Sequence, residues 1–233
     1  RALFFIIAAS TLLAAVVLQT AFHYETAVCH SSEGRHSLSF SSLIAKECIF
    51  YSLIAGLFSM GNGIVNSFLV LLGESSKIAQ ISLFFSVNAI VLFVLRLLVG
   101  KVIDRANLLF IVNLSLLAGA GSMILIGKSG ILVPILIAAA IKAFGNVGGQ
   151  ISLQSACVKR VDAARIGVAT STYYIGADIG QGLGPIWGGK VAEQFGYEGV
   201  FFCMAGFFLL GVICFTAYQL HLNRKTASET VIQ

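Results

Sequence analysis

Seven stretches of this sequence are long and apolar enough to cross a lipid bilayer as helices, at about 2–22, 48–72, 78–99, 108–126, 131–151, 167–189 and 200–219. The hydrocarbon core takes roughly 20 apolar residues in helical form. These runs are continuous, not alternating, so helices are expected and a barrel is not; each helix satisfies its own backbone hydrogen bonds. Composition agrees, with 58% hydrophobic and 11% charged residues, where a soluble domain carries about 25% charged. A chain of 233 residues has too little interior to hide that much apolar surface. The expected class is an all-α membrane protein, with the bilayer as its first partner. Gly is plentiful (24) and Pro rare (2), which suits close helix packing in lipid.

The net charge of +5 does not point to nucleic acid, because the basic residues form no single stripe. Arg35, Lys46, Arg96, Lys101, Arg105, Lys159, Arg160, Arg165, Arg224 and Lys225 fall on one side of the expected spans. Arg1, Lys77, Lys128 and Lys190 fall on the other. The positive-inside rule then puts the loop at 23–47 and the C-terminal tail in the cytoplasm, in a multi-pass protein of the plasma membrane. The chain starts without Met and enters an apolar run at once. That run is too long for a signal peptide, so residues 1–22 read as the last helix of a preceding bundle. A polar central loop follows at 23–47, then a six-helix bundle at 48–219 and a tail at 220–233. The five cysteines are scattered, with neither a disulfide framework nor a metal pattern.

Two local patterns are more specific. The first is Arg96-Leu97-Leu98-Val99-Gly100-Lys101-Val102-Ile103-Asp104-Arg105, at a short cytoplasmic turn. Gly100 allows close helix approach there, and Asp104 can pair with an Arg or favour a helix N-terminus. The second is Gly180-Gln181-Gly182-Leu183-Gly184-Pro185-Ile186-Trp187-Gly188. Gly180, Gly184 and Gly188 recur every fourth residue as one smooth face, and Pro185 permits a bend. The first pattern resembles the conserved cytoplasmic loop of the major facilitator superfamily, although Ala106-Asn107 replaces the usual Gly and basic residues. The second is similar to the Gly-Pro-x-x-Gly-Gly motif of that superfamily's drug-efflux members. The resemblance implies a transporter fold: one leading helix plus the six-helix C-terminal bundle, rocking against a six-helix N-terminal bundle. It also implies a gating role for Arg96, Gly100, Asp104 and Arg105.

Two charges interrupt apolar runs, Lys142 in the fifth and Asp178 in the sixth. Consecutive antiparallel helices place both near the bilayer midplane, where a charge seldom persists without a role and where transporter sites cluster. Helical spacing adds Ser171, Tyr174 and Gln181 to the face of Asp178, and Asn146 and Gly149 to that of Lys142. Ser59, Asn62 and Asn66 make another polar stripe, and Asn88 adds to the third helix. The resemblance makes these the cavity-lining helices of this half. Asp178 is then a carrier of protons or a cationic substrate, and Lys142 tunes it or binds an anionic group. The bland alternative is a Lys142–Asp178 ion pair.

Other signals are weak. Gly127-Lys128-Ser129-Gly130 matches an intramembrane protease motif, but no His lies in a span to serve as base. His23, Cys29, His30 and His36 share a loop without zinc spacing. Phe4, Phe5, Phe201, Phe202, Phe207 and Phe208 read mostly as helix-end or lipid-facing residues. No cofactor and no enzymatic dyad is expected. The expected function is secondary transport by alternating access: proton-coupled efflux of a drug-like or metabolite substrate. Uptake of a small organic acid or sugar is the alternative, and a membrane enzyme or receptor a distant one.

Overall fold

The computed structural model describes residues 10–13, 17, 44–103 and 107–230. The chain divides into two units, Arg1–Ser37 and Leu38–Gln233. In the first, residues 10–13 and 17 are helical. The remainder of the span expected at 2–22, and the loop as far as residue 43, lie outside the described residues.

The second unit opens with a 3-10 turn, Lys46–Cys48, and continues as helices α1 (Ile49–Ser75), α2 (Leu83–Ile103), α3 (Leu108–Lys128) and α4 (Leu132–Val158). A second turn, Ala163–Arg165, leads into α5 (Ile166–Thr230). No strand occurs among the described residues. Lys46–Ser75, Leu108–Lys128, Leu132–Val158 and Ala163–Leu222 have the length and hydropathy of membrane spans, while the apolar part of α2, Leu83–Leu98, is shorter.

Helix ends depart from the hydropathy limits where backbone geometry decides. The third span begins at Leu83 instead of 78, because α1 closes with a Schellman-type cap. Ile78 N–H donates to Gly73 O at 2.8 Å and Lys77 N–H to Glu74 O at 3.2 Å. The cap needs a left-handed residue after the helix, and Lys77 supplies it at φ 54°, with Gln80 at φ 60° in the same turn. Downstream, the sixth and seventh spans are not joined by a loop at 190–199. Helical dihedrals run through that segment, and the non-helical residue inside α5 is Gly196, at φ 71° and ψ 177°. Pro185, where a bend was expected, keeps helical dihedrals. Hydropathy falls at Lys190, Glu193, Gln194 and Glu198, and there two helices meet at the Gly196 kink and fold back, with the rings of Trp187 and Phe207 4.9 Å apart. At the C-terminus, by contrast, α5 continues as helix past the expected limit of 219.

Helix α1 packs most extensively on α5, α3 bridges α4 and α5, and α2 rests on α4. The α1–α5 seam is built on missing side chains. A β-carbon at Gly184 would stand 2.6 Å from Met60 O, and one at Gly56 2.6 Å from Gly176 O. Gly180 lies against Gly56, and Gly188 against the Phe68 ring. Ser52 Oγ donates across the seam to Thr172 O at 2.6 Å. Phe201 and Phe208 are buried core residues, which corrects their assignment to helix ends or lipid faces. The Phe208 ring fills the space over Gly61 and Gly119, 5.7 Å from the ring of Phe58.

Candidate functional site: a buried lysine held by two asparagines

Midway along α4, Lys142 is buried, at 7% exposure. Its Nζ donates to Asn62 Oδ1 on α1 at 2.5 Å. Asn146, one turn further along α4, donates through Nδ2 to the same oxygen at 2.8 Å. Asn62 is positioned by its chain neighbours: Gly61 sits under Phe208, and Gly63 against Gln181 O and Pro185 of α5. Sequence spacing had put Lys142 and Asn146 on one stripe and Asn62 on another; the fold brings the two stripes to one point. No carboxylate among the described residues pairs with Lys142. A buried cation is held at a cost of several kcal/mol, which neutral amides offset only in part.

Asp178 lies elsewhere, exposed on α5 with Ser171, Tyr174 and Gln181. It has no hydrogen-bond or ion-pair partner among the described residues, so the alternative Lys142–Asp178 pair is not formed. Its stripe is nevertheless tied to α4, where Gln154 Nε2 donates to Tyr174 Oη at 3.3 Å; beside it the buried Tyr173 Oη donates to the main-chain Gln150 O at 3.0 Å. Sequence reasoning missed Gln154. The signal was present, since Lys142, Asn146 and Gln154 fall at multiples of four residues along α4.

Asn66 is exposed on α1. Asn88 does not join the cluster, because its Nδ2 donates to Ala139 O at 3.0 Å and ties α2 to α4. A hollow of about 620 Å³ lies between α1 and both parts of α5, lined by apolar groups such as Leu53, Met60, Ile175, Ile179 and Phe207. It holds neither Lys142 nor Asp178 and suits hydrocarbon, not a polar solute. No group of three or more His, Cys, Asp or Glu that could hold a metal occurs among the described residues.

The family model described as Major Facilitator Superfamily matches residues 1–185 and, in a second placement, 51–230. The chain belongs to the Major Facilitator Superfamily. It is therefore a multi-pass membrane protein of a transporter family. No curated protein and no solved structure matches it at a significant level.

Of the superfamily loop pattern, Arg96 is exposed and Gly100 lies within α2. Asp104 and Arg105 lie outside the described residues. Asn107, where this superfamily member departs from the pattern, is the N-cap of α3, its side chain accepting from Leu109 N–H at 3.0 Å. An Asn cap satisfies one of the orphan donors of a helix start, so the departure has a local structural use.

Proposed function

We propose that this superfamily member exports a small molecule in exchange for protons, by alternating access through a polar passage at the plasma membrane. Lys142, Asn62, Asn146, Asn66, Tyr174 and Gln181 line the passage, and Asp178 carries the proton. The observation supporting this is Asp178 itself, a carboxylate exposed on a spanning helix and without a partner among the described residues. Lipid would disfavour such a group strongly, whereas a water-filled passage between this bundle and an N-terminal six-helix partner accommodates it. In this reading Arg96, Gly100, Asp104 and Arg105 form the cytoplasmic gate, and the C-terminus lies in the cytoplasm. Export follows the likeness of the Gly180–Gly188 helix to drug-efflux members.

The test is transport by the full-length protein in proteoliposomes, across a solute panel, with the pH gradient imposed in either direction. Asp178→Asn should abolish the dependence on pH while leaving protein folded. Unchanged transport with unchanged pH response would remove Asp178 from the mechanism. Accumulation driven only by the opposite gradient would replace export with uptake.

A further inference from the structure

Hydrogen-bond capacity around Lys142 is lopsided. The ammonium has three donors, and one goes to Asn62 Oδ1. That oxygen also accepts from Asn146 Nδ2, which occupies both of its lone pairs. With the oxygen turned to the cation, the Asn62 amide presents its N–H groups away from Lys142, and no described acceptor takes them. Turning the amide over would set N–H against ammonium, so electrostatics fixes its orientation. Free N–H groups thus outnumber free oxygens at a point that also carries an uncompensated positive charge. Asn62 and Asn146 are each partly accessible, which leaves an approach to the cluster along these two residues while Lys142 stays buried.

We propose that the transported solute is a monoanionic carboxylate, bound by Lys142 with Asn62 and Asn146 as orienting donors. This rests on the transport reading above. A single lysine offers one point charge and no bidentate fork. Among the described residues no second cation joins the cluster, which matches one negative charge better than the higher charge of a phosphate. The bound carboxylate supplies the counter-charge that the protein lacks, so the empty site attracts anions selectively over neutral isosteres.

The experiment uses full-length protein purified in detergent and matched pairs of probes: benzoate against benzamide, and hexanoate against hexanamide, at millimolar concentration. Binding to the folded state raises the unfolding temperature. The carboxylates should raise it by about 2 °C or more and the amides should not. Lys142→Gln should lose the response. Asn62→Asp should fold, unfold at a higher temperature than wild type because it installs an internal counter-ion, and ignore both carboxylates. Equal shifts from amides, a full response in either variant, or no response to either carboxylate would each overturn the assignment. Carboxylate binding by a protein that moves no solute would uphold the site and remove the transport reading. Proton-coupled transport indifferent to carboxylates would do the reverse.

Discussion

Helix α1 meets its two principal neighbours in opposite ways. Toward α5 it presents Ser52, Gly56 and Gly63, and the two backbones press together with no room for a β-carbon. Toward α4 it presents Asn62, whose side chain reaches across to Lys142 and Asn146. The first contact is set mainly by steric fit, with one hydrogen bond from Ser52 to Thr172 O; the second is polar and partly accessible. The difference teaches how a membrane bundle can hold a charge. The glycine seam sets where α1 lies, so that one amide oxygen stands at the right distance from a buried ammonium. Without a rigid seam on one flank, the polar flank would have nothing to fix its geometry.

Substitutions can break this contrast, the most damaging first. Gly180→Leu drives a side chain into the Gly56 backbone and should destabilise by about 3 kcal/mol or more, seen as loss of folded protein by size-exclusion profile. Asn62→Leu removes the acceptor of two donors and should cost about 2–3 kcal/mol in thermal unfolding. Pairing it with Lys142→Met should recover most of that loss, since removing both partners of a buried polar contact is milder than removing one; simple addition of the two effects would show the contact to be unimportant. Gly182→Ala sharpens the comparison, because Gly182 meets nothing within 4 Å. It should be neutral or gain up to about 1 kcal/mol from helix propensity. Least of all, Asp178→Asn should shift stability by under about 0.5 kcal/mol, as for an exposed site without partners.

Much of the architecture was legible because the bilayer imposes a length on every span. Helices at 49–75, 108–128 and 132–158 answer to apolar runs read directly from the sequence. What escaped was set by backbone angles that hydropathy does not sense. Lys77 in the left-handed region ends α1 without the glycine that usually announces such a cap. Gly196 breaks α5 at one residue, where a ten-residue connection had been expected. The polar cluster was half legible: spacing gave the faces of Lys142, Asn146 and Asn62, but a face does not name its partner. Only the packing of α1 between α4 and α5 turned two stripes into one contact, and the packing of α2 on α4 took Asn88 to Ala139 instead. Gln154 was overlooked because it lies beyond the apolar run that marked the fifth span, although it follows the same four-residue step.

Gly196 has a mechanical consequence. It is the point in the 65 residues of α5 where the backbone leaves the helix, so residues 166–195 and 197–230 behave as two levers on a single joint. Any torque a solute exerts near Tyr174 or Gln181 reaches the far lever through that joint and through side chains that meet across it, such as the rings of Trp187 and Phe207 at 4.9 Å. A side chain at position 196 would strain the positive-φ backbone and stiffen or shift the coupling between the two levers.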